Sequence, residues 1–217
     1  MSTNVYIDGL NLYYGALYNT PFKWLDIGAL CSTLLPGRSI NRIRYFTARV
    51  ISLPHDQNAP TRQDIYLRAL RTIPNLTIHD ESRFAARVSL YPQYPLAYIN
   101  NQLNKPPNRV QVQKLEEKRS DVNLASWLLD DFFSKDFDDA VVISNDSDLT
   151  TPIEIITTKY SKNVGVINPH HKRKPSRDLR NAATFSMQTI NRKVLANCQF
   201  PPTLTDISGI FTKPPSW

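Results

Sequence analysis

The sequence predicts an α/β protein built around a central, mainly parallel sheet. Three observations predict it. Residues 140–143 and 163–167 are short, largely unbroken apolar runs, the pattern of strands buried on both faces. Segments of helical periodicity alternate with them, which implies right-handed crossovers and parallel pairing. The runs at 5–7 and 140–143 also pass on into aspartates, at the carboxyl edge where open α/β sheets hold ligands.

The elements follow in order. Residues 5–7 form a first strand ending in Asp8-Gly9-Leu10-Asn11, and Gly9 suits a tight strand-to-helix turn. Helices are expected at 12–18 and 26–35, the second stopped by Pro36-Gly37. Residues 40–51 read as a strand. Residues 60–73 read as an amphipathic helix, with Ile65, Leu67, Leu70 and Ile73 inward and Arg62, Arg68 and Arg71 in water. A short strand at 76–78 precedes a Tyr- and Pro-rich excursion with one hairpin, and 110–114 read as an edge strand. The clearest helix starts at Ser120 and stops near Asp136, its face marked by Val122, Leu124, Ala125, Leu128 and Leu129. After the central strand come a helix at 151–160, the strand at 163–167, and helices at 177–182 and 190–197. The predicted division is one domain over 1–190, with its excursion at about 81–110. A C-terminal helix and Pro-rich tail, 191–217, is expected to pack on it.

A chain of 217 residues is long enough for a real core. No 18-residue apolar run and no basic-then-apolar leader is present, so neither a membrane partner nor a signal segment is expected. Cys31 and Cys198 lie far apart and outside any zinc spacing, which points to a reducing, cytoplasmic setting. The net charge of +7 makes nucleic acid a plausible partner class. Gly-rich phosphate loops and Gly-x-Ser-x-Gly elbows are absent, and Asp8-Gly9-Leu10-Asn11 is no dinucleotide fingerprint. Nothing in the sequence fixes an oligomeric state.

The chemistry gathers on four acids. Asp8 ends the first strand, Asp146 and Asp148 follow the central strand, and Asp121 opens the clearest helix. A doubly wound sheet would bring them to one hollow. Carboxylates without basic partners repel one another, and a hard divalent cation, Mg²⁺ or Mn²⁺, relieves that repulsion. Asp146, Asp148 and Asp121 also have a plain alternative role as helix N-caps, which needs no metal. Asn11 is a polar neighbour suited to water or phosphate. Asp138 and Asp139 precede the central strand and are read as surface charges at the opposite edge. Asp130 and Asp131 are read as facing solvent, and Glu117 as part of a solvated charged run.

Around the acids stand cations. His171, Lys172, Arg173, Lys174 and Arg177 follow the strand at 163–167, and Lys118 and Arg119 precede Asp121. Both groups are placed to grip a phosphate backbone, or else form solvated loops. Tyr13, Tyr14, Tyr91 and Tyr94 either stack on unpaired bases or pack half-buried.

Three stretches carry a resemblance. Residues 5–14 (Val-Tyr-Ile-Asp-Gly-Leu-Asn-Leu-Tyr-Tyr), 117–125 (Glu-Lys-Arg-Ser-Asp-Val-Asn-Leu-Ala) and 142–149 (Val-Ile-Ser-Asn-Asp-Ser-Asp-Leu) resemble, in order, the signatures of NYN-domain proteins, in the bacterial LabA-like branch of the PIN-like nuclease superfamily. The resemblance implies a Rossmann-like, PIN-type three-layer sandwich and an Mg²⁺- or Mn²⁺-dependent endoribonuclease acting on RNA; the expected substrate is single-stranded RNA. By position it implies Asp8, Asp121, Asp146 and Asp148 as metal-site acids, with Asn11 beside them in the catalytic set. Many members have Gly where Asn145 and Arg119 stand. Two alternatives come with the family: an NADH-dependent hydroxylase of a pyridine-type catabolite, with a closed aromatic pocket around Tyr13, Tyr14 and Trp24, and a non-catalytic RNA-binding regulator.

Overall fold

A computed structural model describes residues 2–84, 87–91, 109–113 and 117–217, with the side chains of 82–84, 87–88, 111–113 and 117–118 excepted. Tyr94, most of the excursion and the side chains of Glu117 and Lys118 therefore lie outside the described residues.

The chain opens with β1 (Ser2–Asp8), α1 (Gly9–Leu12), α2 (Ile27–Leu34), β2 (Ser39–Arg49), α3 (Ala59–Leu70) and β3 (Leu76–Phe84). The hairpin β4 (Arg87–Leu90) and β5 (Val110–Gln113) follows, then β6 (Glu117–Lys118) and α4 (Ser120–Phe133). The expected edge strand at 110–114 is thus half of this separate hairpin. The second half holds β7 (Asp139–Ile143), α5 (Thr150–Glu154), β8 (Asn163–Ile167), α6 (Arg177–Ala182), β9 (Phe185–Met187), α7 (Arg192–Asn197), β10 (Thr203–Asp206) and β11 (Gly209–Thr212). No helix of the described residues is long and apolar enough to cross a membrane.

The main sheet runs β6-β3-β2-β1-β7-β8-β9. All of its pairings are parallel except β3 with β6. Strand order reverses between β1 and β7, whose registers match Val5 to Val141 and Ile7 to Ile143. That reversal opens a crevice at the carboxyl ends of the two strands. Alternating side chains then build two cores. Val5, Ile7, Val141 and Ile143 point to one, which α2, α3 and the C-terminal residues cover. Tyr6, Ala140 and Val142 point to the other, covered by α4, α5 and α6. The result is an α/β/α three-layer sandwich.

Residues after 191 are built into the first core. The Trp24 indole donates to the carbonyl of Pro201 at 2.8 Å, and Trp217 packs on Tyr66 with ring centres 5.7 Å apart. Phe200 and Phe211 are buried in the same cluster.

Two expected helices take other forms. Over 12–18 the chain makes a π turn, Tyr13–Leu17, closed by a 2.7 Å bond from Tyr18 N–H to the Tyr13 carbonyl. Over 151–160 a 3-10 turn (Ser147–Leu149), α5 and a second π turn (Ile155–Lys159) follow one another. Asp131 and Asp139 are not surface charges. Asp131 is buried and takes Arg44 at 2.7 and 2.6 Å and the Tyr6 hydroxyl at 2.7 Å. Asp139 is buried against Arg38 and Asn163. Both acids have fixed cationic partners within the fold, so burial does not leave them unpaired.

Candidate active site

Asp8 ends β1 with extended backbone and caps α1: its Oδ1 accepts the Asn11 N–H at 2.9 Å. Its Oδ2 accepts the Ser144 hydroxyl at 3.0 Å. Only glycine fits next, since a Cβ on Gly9 would stand 2.6 Å from the Tyr45 ring and 2.7 Å from the Phe46 carbonyl. Asp8 is 4% exposed. Burial pushes its carboxyl up to about 6, with Asp121 and Asp146 adding to the rise while Asn11 N–H and Ser144 oppose it.

Asp146 lies just beyond β7 and caps the 3-10 turn, its Oδ1 accepting the Asp148 N–H at 3.1 Å. Its own N–H donates to the Ser144 hydroxyl oxygen at 3.1 Å. Ser144 therefore bridges the ends of β1 and β7, giving its proton to Asp8 and accepting from Asp146. Sequence reasoning missed this residue; its position at the end of a buried strand, between the two acids, was the available signal. Asp146 is thus the cap that one reading of it expected, while standing beside the other acids; Asp8, expected only as a site acid, is a cap as well.

Asp121 stands in the first turn of α4. Burial raises its pKa, and Asp146 and Asp148 raise it further. The four acids thus share one electrostatic field. Among the described residues, no ion pair engages any of them. They are gathered without being closed into a shell: no three His, Cys, Asp or Glu side chains of the described residues stand close enough to share one ion. Asp8, Asp121 and Asp146 line a cleft of about 980 Å³, and Asp148 stands exposed outside its lining.

Asn11 ties this edge to the basic loop. Its Oδ1 accepts the Asn145 N–H at 3.1 Å and lies 3.0 Å from His170 Nε2. Asn168, fully buried, shapes the loop: its amide donates to the carbonyls of Arg173 and Gln188 at 3.1 and 2.9 Å, and its oxygen accepts the His170 N–H at 2.9 Å. His171, Lys172 and Arg173 consequently line the cleft. Lys174, in the same loop, and Arg177, which opens α6, do not line it. Arg192, at the start of α7, does line it and was missed, because it falls beyond the predicted domain boundary. Lys118 pairs with Arg83 in the antiparallel match of β6 to the carboxyl end of β3, and Arg119 follows it, so their backbone reaches the acidic edge. Trp24 is buried in the first core between Tyr66, Phe200 and Trp217, apart from the cleft.

A family model of the NYN domain matches residues 2–191. The chain belongs to the NYN-domain family. NYN domains are part of a nuclease superfamily, which supports a hydrolase role and implies a nucleic-acid substrate. A curated relative, 6-hydroxy-3-succinoylpyridine 3-monooxygenase HspA of Pseudomonas putida, is 31% identical over 249 residues, covering 100% of this chain and 75% of that protein. A solved structure of a protein of unknown function from Vibrio parahaemolyticus shares the fold, with a TM-score of 0.54 at 16% identity over 88% of this chain and 93% of that one.

The two departures from the usual NYN pattern have separate structural accounts. Arg119 has φ 88°, the left-handed region that glycine adopts without strain. It forms no ion pair with Asp121. Asn145 is not among the residues of positive φ. Its side chain instead stitches the basic loop down, donating to the Lys174 carbonyl at 3.1 Å and accepting the Ser176 N–H at 2.6 Å.

Proposed function

We propose that this protein is a metal-dependent endoribonuclease that hydrolyses phosphodiester bonds of single-stranded RNA. One observation carries the reading: acids at the end of β1, just beyond β7 and on α4 line one cleft at the sheet's switch point, burial raises the Asp8 and Asp121 carboxyls, and no ion pair engages these acids among the described residues. Such an uncompensated group of carboxylate oxygens fits a hard divalent cation, Mg²⁺ or Mn²⁺. The ion would take its ligands from Asp8, Asp121, Asp146 and Asp148, which would have to draw closer, since no three His, Cys, Asp or Glu side chains of the described residues stand near enough to share one ion. When bound, the ion makes water a better nucleophile and offsets charge on the phosphate.

The chain's own groups supply the rest. Ser144 orients Asp8 and fixes the start of the Asp146 turn. Asn11 holds the His170 loop to the strand ends. Lys172 and Arg173 offer positive charge to the substrate backbone across the cleft and His171 a neutral imidazole contact beside them, with Lys118, Arg119, Lys174 and Arg177 extending that field along the strand. The two cysteines are buried free thiols, which suits the cytoplasm.

A second reading is NADH-dependent hydroxylation of a pyridine-type catabolite; the Pseudomonas putida relative, named as a monooxygenase of a succinoylpyridine, supports the hydroxylation. The closed aromatic pocket expected for it is not formed by Trp24, which faces the core. A third is RNA binding without turnover. The deciding experiment incubates the protein with single-stranded RNA in Mn²⁺ and in EDTA, and separately with NADH and a pyridine carboxylate. Mn²⁺-dependent RNA cleavage supports the first reading. NADH consumption without cleavage selects the second, and binding without either selects the third.

A further inference from the structure

We propose that Tyr14 and Tyr18 form a base-stacking subsite, so that the nuclease anchors an unpaired base beside the bond it cuts. The inference rests on the nuclease reading and adds the part of the substrate that the acids and cations leave unread.

The π turn builds the shelf. Tyr13 is the partly buried member, packed against the first core. Its ring meets Tyr14 edge-to-face at 5.2 Å and Tyr18 at 6.0 Å, and Tyr14 and Tyr18 meet at 5.7 Å. Mutual edge contacts of this kind hold rings at fixed angles. The turn is tied off by Thr20, whose hydroxyl donates to the Leu17 carbonyl at 2.8 Å and accepts the Phe22 N–H at 3.2 Å. Gly15 lets the His170 ring lie against the same turn, for a Cβ there would stand 3.1 Å from it.

Tyr14 and Tyr18 are 57% and 53% exposed. Isolated exposed aromatics are ordinary. These two line the same cleft as Asp8, Asp121 and Asp146. Arg192 and Arg173 line it as well, and Arg192 is near enough to His171 to help hold that imidazole's pKa down. An aromatic platform with cations beside it is the arrangement that takes one base and its flanking phosphates. Duplex bases are stacked and paired and cannot reach such a platform, so the shelf would impose a single-strand preference. It also supplies affinity that phosphate contacts near four carboxylates cannot. The cleft, about 980 Å³ and open, suits a strand better than an enclosed small aromatic acid.

The test compares single-stranded RNA oligonucleotides with versions carrying one abasic ribose at successive positions around the cut. With wild-type protein, one abasic position should raise KM about tenfold while kcat stays within about twofold. The Tyr14→Leu/Tyr18→Leu variant should raise KM of the intact RNA by about the same factor and lose the abasic sensitivity, whereas Tyr14→Phe/Tyr18→Phe should behave as wild type. Circular dichroism of each variant checks the fold. Wild-type KM in the leucine variant, or undiminished abasic sensitivity in it, overturns the subsite while leaving cleavage itself intact. Absence of RNA cleavage by the wild type overturns the nuclease reading instead; polarisation binding of the same oligonucleotides then reads the shelf. Displacement of RNA from wild type by a pyridine carboxylate, with no abasic effect, overturns the subsite in favour of a small-molecule site.

Discussion

His170 Nε2 lies 3.0 Å from Asn11 Oδ1. The Asn11 atom must be oxygen, because it also receives the Asn145 backbone N–H at 3.1 Å, and an N–H only donates. Neutral His170 therefore carries its proton on Nε2. Burial, with Arg173 and His171 nearby, lowers its pKa, so it is neutral at pH 7. One amide oxygen thus joins the exit of β1, the exit of β7 and the basic loop.

Removing that oxygen should release the loop. Asn11→Ala leaves two donors without their acceptor and should cost about 1–3 kcal/mol in urea unfolding. Its KM for RNA should rise more than its kcat falls. The ring ¹⁵N shifts of His170 in the wild type should report Nε2 protonation; Nδ1 protonation would contradict the assignment.

A different stability centre lies within α4 and the sheet. Asp131 and Arg44 are both nearly fully buried, and Arg44 also stacks on Trp127 at 4.0 Å. Asp131→Ala strands a buried guanidinium and should cost about 3–5 kcal/mol by denaturant titration. Tyr6→Phe removes one hydrogen bond to Asp131 and should cost about 1 kcal/mol.

These residues show where sequence reading stops. The acids at the ends of β1 and β7 were legible because an apolar run running into aspartate fixes a strand end. Helical periodicity assigned Asp131 to water, since its partner Arg44 sits 87 residues away and pattern alone cannot pair them. The π turns were not legible either: Tyr13–Leu17 looks helical in composition, and only the Tyr18-to-Tyr13 bond distinguishes it. β9 is three residues long and carries no periodic signal of its own. It is held by pairing with β8, where a Cβ on Gly165 would come within 2.0 Å of the Phe185 ring.

The buried acid predicts a pH dependence in EDTA. Asp8 titrates near 6 when folded against 3.8 in the ordinary range, so the folded state holds the proton more tightly. Its contribution to stability is present below about pH 4 and is lost as pH rises to about 6, by roughly 3 kcal/mol. His79, His170 and His171, whose pKa values are lowered, act in the opposite direction near neutrality. The Asp8→Asn variant cancels those. Its stability relative to wild type should grow between pH 4 and 7 in EDTA, and saturating Mn²⁺ should erase the gain.

Arg119 predicts a trade between stability and binding. A non-glycine residue at φ 88° carries strain of about 1–2 kcal/mol. Arg119→Gly should therefore raise the unfolding free energy by about 1 kcal/mol. If its charge meets the RNA backbone, the same change lowers the salt slope of RNA binding by about one. Thermal melts and a salt titration read the two effects separately.

The most direct measurement is Mn²⁺-dependent cleavage of a single-stranded RNA by Asp146→Asn, with folding matched to wild type by circular dichroism. Asn keeps the cap to Asp148 N–H and removes the charge. A loss of at least about a hundredfold in kcat, with the fold unchanged, is the predicted result. Cleavage at the wild-type rate would contradict hydrolysis at these aspartates.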